Sequence, residues 1–308
     1  MVSEKTSREK LFNDSQEVRK IVANIIINKF LMSEFYVVAT PIGNLQDITL
    51  RALEALKLSD AIICEDTRIT ARLLEKYEIK NKKLLVYNDN SDEMTRKKIL
   101  HMLMSGSNIA LVSDAGTPLI SDPGHKLICF LREHNIKITP LPGASSVTTA
   151  LSASGIACDN FLFIGFLPSP QIQRQNVLKE LPKNYTLVFF ESALRAVEML
   201  EDLHKIFGNR RIAVARELTK IHEEIINNEL IKVIDFFKQN SEKLRGEFVI
   251  ILEKASRGAK SLTEEELKQE IRKAAGNGLS IKEISEHLSQ IHGLHKKEVY
   301  QLALQLQK

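Results

Sequence analysis

The chain has 308 residues, 44% hydrophobic and 27% charged, with a formal net charge of +4. This is the composition of an ordinary globular protein with room for two medium domains, and it excludes disordered, collagenous and disulfide-rich classes. The charge is spread along the chain without a polybasic arm, and no run of about 18 apolar residues supplies a transmembrane helix, so no membrane partner is expected.

Residues 1–34 read as an N-terminal extension. Within it, 21–32 follow Arg19-Lys20 and weakly mimic a signal peptide, but two Asn and one Lys interrupt the run and no small-residue cleavage site follows. A poorly ordered extension or a helix packed on the body is the plainer reading, and Met32-Ser33-Glu34 would allow a later translation start. From Phe35 onward, strand-length apolar runs alternate with helix-period stretches. Phe35–Ala39, Ala61–Cys64, Lys83–Tyr87, Asn108–Val112 and Lys137–Pro140 are predicted strands. Leu50, Leu53 and Leu56 share one face of a helix capped near Asp47, and Ile99, Met102 and Leu103 mark another. The βαβα pattern implies a mostly parallel sheet with helices on both faces over 35–150. Pro142-Gly143-Ala144-Ser145-Ser146 opens a small-residue helix ending near Gly155.

A second α/β domain is expected over 151–255. Its predicted strands are Phe161–Gly165, Thr186–Phe190, Arg211–Ala215, Ile231–Phe236 and Glu247–Leu252, and short connections make some of them antiparallel, hence a mixed sheet. Residues 256–308 switch to helix only. Ser261 with Glu264 and Ser280 with Glu283 have capping-box spacing, and Gly276-Asn277-Gly278 and Gly293 break the segment into three helices. That tail is either an RNA contact or a helical cap.

The chemistry concentrates at strand ends. The richest stretch is Leu111-Val112-Ser113-Asp114-Ala115-Gly116-Thr117-Pro118-Leu119-Ile120-Ser121-Asp122-Pro123-Gly124, where a strand runs into a carboxylate, a tight turn and a second turn that opens a helix. In a parallel α/β sheet, ligands bind outside the carboxyl ends of the strands. Other strand ends are also polar: Thr40-Pro41-Ile42-Gly43-Asn44, Glu65-Asp66-Thr67-Arg68, Glu191-Ser192 and Arg216-Glu217-Leu218-Thr219-Lys220. There is no GxxxxGK[ST], GxGxxG after the first strand, HExxH or GxSxG. The eight histidines have no metal spacing, and Cys64, Cys129 and Cys158 form no CxxC pair, so no metal is expected and a reducing, cytoplasmic compartment suits the chain. A reaction whose difficult chemistry sits on a bound cofactor remains.

Thr40-Pro41-Ile42-Gly43-Asn44-Leu45-Gln46-Asp47-Ile48-Thr49, Glu65-Asp66-Thr67-Arg68, the Ser113–Gly124 run, Arg216-Glu217-Leu218-Thr219-Lys220 and Arg245-Gly246-Glu247-Phe248-Val249 stand in this order. Together they resemble the rRNA small subunit methyltransferase I family, a branch of the tetrapyrrole methylase superfamily, over about residues 35–308. The cobalamin and sirohaem enzymes of that superfamily carry a different, glycine-proline-rich first loop and lack the Gly-Thr-Pro-Leu-Ile-Ser insertion. The resemblance implies two α/β domains of tetrapyrrole methylase type with the cofactor cleft between them, plus the C-terminal helical segment. It implies transfer of methyl from S-adenosylmethionine to the 2′-hydroxyl of a cytidine in the decoding region of 16S rRNA. The partner would be 16S rRNA or the small ribosomal subunit, and relatives that pair as dimers make a homodimer an expectation as well.

The implied cofactor residues are Pro41, Asp114, Ala115, Gly116, Thr117, Pro118, Ser121, Ser145, Ser146 and Arg216, with Asp114 favouring the cationic sulfonium or ammonium. Glu65 is the first choice of general base and Glu217 its rival; adjacent Glu65 and Asp66 on a strand end point apart, so one of them faces the crevice. Arg68 is expected to hold an RNA phosphate, because a guanidinium matches phosphate oxygens in bidentate fashion. A tetrapyrrole methyltransferase and a non-catalytic RNA-binding protein are the competing classes.

Overall fold

A computed structural model describes residues 33–88, 90–255, 264–276, 278–292 and 296–306. The extension up to residue 32, the Ser261 capping box and the breaks at Asn277 and Gly293 lie outside the described residues. Two compact units divide the chain: Met1–Ala153 with Ala215–Ile225, and Ser154–Val214 with Ile226–Lys308.

Five parallel strands form the first sheet: β1 (Phe35–Val38), β2 (Ala61–Cys64), β3 (Lys83–Val86), β4 (Ile109–Val112) and β5 (Ile138–Leu141), in the order β3-β2-β4-β1-β5. From β1 the chain steps to β2 and on to β3, then reverses to β4 and β5. Right-handed crossovers in opposite directions place their helices on opposite faces of a sheet, and the packing follows that rule. On one face, α1 (Leu50–Leu58) and α2 (Thr67–Lys76) pack Ala52, Ala55, Leu56, Leu73 and Leu74 against Val38, Ile62, Ala110 and Val112. On the other, α3 (Glu93–Met104) and α4 (His125–Glu133) pack Ile99, Leu103, Leu127 and Leu131 against Phe35, Val37, Ile63, Ile109 and Leu111. Successive residues of β4 therefore serve different faces, as the two-residue strand period requires. The small-residue segment forms α5 (Ser146–Ser154).

Helix α1 departs from the sequence reading. Its cap is Thr49, whose side chain accepts from the Ala52 amide at 3.1 Å, while Asp47 ends a turn of 3₁₀ helix. Leu50 is 85% exposed, because Ala52 and Ala55, not the leading leucine, let the helix approach the sheet.

The second sheet has β6 (Phe161–Phe166), β7 (Thr186–Ser192), β8 (Arg211–Arg216), β9 (Glu224–Glu229) and β10 (Glu247–Leu252), in the order β6-β7-β10-β8-β9. β6 runs parallel to β7 and β10 antiparallel to it, which makes the sheet mixed. Helices α6 (Gln171–Glu180), α7 (Ala196–Phe207) and α8 (Leu230–Gln239) cover one face through Leu178, Leu203, Phe207, Val233 and Phe237. The predicted strand Ile231–Phe236 is thus part of a helix. Leu230, Val233, Ile234 and Phe237 are its buried residues, and the i, i+3, i+4, i+7 spacing is helical. The strand of this region is β9, whose sequence Glu-Ile-Ile-Asn-Asn-Glu is too polar to read as one; it lies at the sheet edge.

Between α6 and α7, the fully buried Arg174 donates to Asp202 at 2.7 Å and to the Ser169 carbonyl at 3.0 Å. Gln175 donates to the other oxygen of Asp202 at 2.6 Å. The tail folds as α9 (Glu264–Gly276), α10 (Ile281–His292) and α11 (Lys296–Leu306) around Ile271, Ile284, Leu288, Val299 and Ala303. Its second capping box closes in both directions: Ser280 N donates to Glu283 Oε2 at 2.9 Å, and Glu283 N donates to Ser280 Oγ at 3.3 Å.

Candidate active site

β1 and β4 are neighbours, yet the chain leaves them in opposite directions, β1 toward β2 and β4 toward β5. This is a topological switch point, where the diverging connections leave a crevice outside the carboxyl ends. Thr40 N donates to Gly116 O at 2.8 Å, Gly116 N returns a bond to Thr40 O at 2.9 Å, and Thr40 Oγ1 donates to Ser113 O at 3.0 Å. These bonds stitch the two strand ends together. A cleft of about 230 Å³ opens here, lined by Thr40, Pro41, Leu45, Ile69, Thr70, Arg72, Leu73, Ser113 and Asp114.

Asp114 Oδ1 accepts from the Asp66 amide at 3.1 Å, which ties the end of β4 to the end of β2. Asp66 caps α2: its carboxylate accepts from the Arg68 amide at 2.8 Å and from Arg68 Nε at 3.0 Å. The Arg68 side chain and amide hold the Asp66 carboxyl below its ordinary 3.8, at about 2. Of the two adjacent carboxylates, Asp66 is thus committed to the cap, and Glu65 is exposed. The Arg68 side chain is 84% exposed but already engaged by Asp66.

The loop after β4 is held in an uncommon conformation. Gly116, Leu119, Ser121 and Gly124 have φ of 82°, 73°, 65° and 129°. A left-handed leucine is a steric outlier, and such strain clusters at functional sites. A Cβ on Gly116 would lie 3.3 Å from Ile42 Cγ2, so glycine brings the two strand-end loops together. Thr117 Oγ1 donates to Ala144 O at 3.1 Å and anchors this loop beside Ser145 and Ser146, which are half-buried at the start of α5.

The segment 215–225 groups with this same unit. Arg216 Nε donates to Glu224 at 2.8 Å, and the Arg216 side chain is only 12% exposed. Glu217 adopts φ 51° and pairs with Lys220 at 2.9 Å. Of the predicted residues, Pro41 and Asp114 line the cleft; Glu65, Arg68, Ala115, Gly116, Thr117, Pro118, Ser121, Ser145, Ser146, Arg216 and Glu217 are outside its lining. The sequence reading missed Leu45, Ile69, Thr70, Arg72 and Leu73. The i, i+3, i+4 spacing of Ile69, Arg72 and Leu73 directly after Glu65-Asp66-Thr67-Arg68 was the available signal. Among the described residues no group of three or more His, Cys, Asp or Glu could hold a metal ion.

The family described as Tetrapyrrole (Corrin/Porphyrin) Methylases matches residues 34–233. The ribosomal RNA small subunit methyltransferase I of Rickettsia prowazekii (strain Madrid E) is 48% identical over 223 residues, covering 72% of this chain and 79% of that protein. The protein of that name from Synechocystis sp. (strain ATCC 27184 / PCC 6803 / Kazusa) is 40% identical over 279 residues, covering 90% and 99%. The chain belongs to the rRNA small subunit methyltransferase I family of tetrapyrrole methylases. The fold of this family member is shared by cobalt precorrin-4 methyltransferase, with a TM-score of 0.54 at 18% identity over 73% of this chain and 95% of that one. It is shared by diphthine synthase too, with a TM-score of 0.54 at 14% identity over 72% and 90%. In this methylase-family chain, the strained Gly116–Gly124 loop and the Asp66–Asp114 bond sit at the switch point that the fold provides.

Proposed function

We propose that this protein methylates the 2′-hydroxyl of a cytidine in the decoding region of 16S rRNA, using S-adenosylmethionine. The observation that carries the reading is the 39–48% identity to proteins named ribosomal RNA small subunit methyltransferase I over most of both chains. The substrate is 16S rRNA or the small ribosomal subunit, the compartment is the cytoplasm, and the acting species is a monomer or a homodimer.

The switch-point residues fit the cofactor. Asp114 offers a half-buried carboxylate whose Oδ2 has no hydrogen-bond partner among the described residues, suited to a cationic sulfonium or ammonium. Ala115, Thr117, Pro118 and Ser121 supply main-chain groups in a pre-bent loop that Gly116 ties to Thr40, with Pro41, Ser145, Ser146 and Arg216 completing the set. When bound, S-adenosylmethionine supplies a methyl group already activated on sulfur. The chain's task is to align the 2′-oxygen with that methyl, exclude water and accept the hydroxyl proton. Glu65, exposed at the end of β2, is the first candidate acceptor and Glu217 the second. Arg68 would meet an RNA phosphate.

The test is incubation of the purified protein with labelled S-adenosylmethionine and small subunits lacking the modification, followed by nuclease mapping. Label on one 2′-O-methylcytidine supports the reading. Cofactor binding without transfer to RNA would redirect it to a tetrapyrrole substrate.

A further inference from the structure

The cleft beside α2 has a chemistry of its own. Its walls are largely apolar, with Leu45, Ile69, Leu73 and Pro41 on the lining. Leu45 and Ile69 are 39% and 41% exposed and stand together on its lining, a clustered apolar surface of the kind that marks ligand-binding grooves. Thr70 is 2% exposed, and among the described residues its Oγ1 has no oxygen or nitrogen partner. Its polar neighbour is the Cys64 thiol, a weak partner that burial keeps protonated. A buried hydroxyl left unpaired is costly, and native structures rarely retain one without a use. Arg72 stands on the lining one turn from Ile69 and has no carboxylate partner among the described residues. At about 230 Å³ the space is below the roughly 300 Å³ at which pockets begin to enclose a drug-sized ligand. It suits one flat ring rather than a nucleoside joined to an amino acid.

We propose that this cleft receives one unstacked base of the RNA substrate, with Leu45, Ile69 and Leu73 against its faces, Thr70 Oγ1 hydrogen-bonding its edge and Arg72 meeting the adjoining phosphate. Sequence-specific RNA recognition relies on splayed single-stranded bases held by stacking and edge hydrogen bonds. Apolar walls, a buried hydroxyl and an unpaired guanidinium are the groups such recognition needs. The inference rests on RNA as the substrate and adds where a base is held. It assigns the α2 wall of the cleft to the substrate and leaves the opposite wall, where Pro41 and Asp114 stand, to the cofactor.

Two measurements test it. A short single-stranded RNA carrying 5-iodopyrimidines is photo-cross-linked to the full wild-type chain, and the adducts are mapped by mass spectrometry. Adducts on the peptides containing Leu45 or Ile69 are expected; adducts only elsewhere, or none, overturn the assignment whether or not methyl transfer is detected. In parallel, Thr70→Val and the pair Leu45→Ala with Ile69→Ala are assayed for methyl transfer to small subunits, with S-adenosylmethionine affinity measured by calorimetry. KM for the subunit should rise about five- to tenfold while kcat and cofactor affinity stay within about twofold. An unchanged KM rejects the base site, and a cofactor affinity that falls in step with KM reassigns the cleft to the cofactor. A wild type that transfers no methyl to RNA defeats the proposed function instead, and the cross-links then decide the cleft by themselves.

Discussion

The Asn44 amide donates to Thr219 Oγ1 at 3.0 Å, joining the loop after the first strand to a turn 175 residues later. The approach is close enough that a Cβ on Gly43 would fall 2.7 Å from the Leu218 carbonyl oxygen. Thr219 holds φ 64°, costly for a β-branched residue, and its amide is secured by Glu223 at 2.6 Å. Two distant motifs are thereby fixed against each other. Gly43→Ala should force them apart, costing about 1–3 kcal/mol of stability and reducing cofactor affinity, as read by thermal unfolding and calorimetry. Thr219→Asn, which tolerates a left-handed backbone and keeps an acceptor oxygen, should be far milder than Thr219→Val.

The assignment of the proton acceptor is open to direct kinetics. Loss of a general base costs about 10²–10⁴ in rate. Glu65→Gln should therefore cut kcat by that order while leaving S-adenosylmethionine affinity near normal, and Glu217→Gln should have the smaller effect. Full turnover in Glu65→Gln with a collapse in Glu217→Gln would reverse the two roles. Asp114→Ala should weaken cofactor binding, and unchanged affinity would remove Asp114 from that site.

Asp66 gives the cap of α2 a pH dependence. Its carboxyl is held at about 2, below its ordinary value of 3.8. A depressed carboxyl stabilises the fold fully above the ordinary value and loses that contribution as pH falls through the depressed one. Between about pH 4 and pH 2 the wild type should lose stability more steeply than Asp66→Asn, which keeps a capping oxygen without the charge. Parallel acid-unfolding curves for the two proteins would show that the cap does not titrate.

Arg174 and Asp202 are 1% and 3% exposed by side chain. Removing one partner of such a buried pair typically costs 3–5 kcal/mol, about the same as a large cavity, whereas replacing both by well-packed apolar residues is often neutral. Asp202→Ala should lower urea resistance sharply, and Arg174→Met with Asp202→Leu should recover most of it. Equal losses in the single and double variants would mean that packing, and not charge, dominates there.

Thr70→Val should leave thermal stability unchanged or raise it by about 1 kcal/mol, because it removes a buried hydroxyl whose polar neighbour is a weakly bonding thiol. A clear fall in melting temperature would show that the hydroxyl is satisfied within the fold.

Most of the architecture was written in local pattern. Strand-length apolar runs such as Ile109 to Val112, alternating with helix-period stretches, and the motifs at Thr40, Glu65, Ser113 and Arg216 announced a sheet whose strand ends carry the chemistry. Local pattern failed where two periods compete. Ile231–Phe236 is apolar enough for either a strand or a helix, and only burial of Leu230, Val233, Ile234 and Phe237 on one side decided it. The polar β9 was recognisable only through its place beside β8 at the sheet edge. Strand order, and with it the switch point between β1 and β4, is a matter of pairing between segments about 70 residues apart in sequence. The commitment of Asp66 to a helix cap, the contact of Asn44 with Thr219 and the burial of the Thr70 hydroxyl beside the Cys64 thiol were likewise decided by tertiary structure. A residue's type and spacing are properties of the chain, but which polar groups find partners, and which are left for a ligand, depends on what folding brings within hydrogen-bond distance.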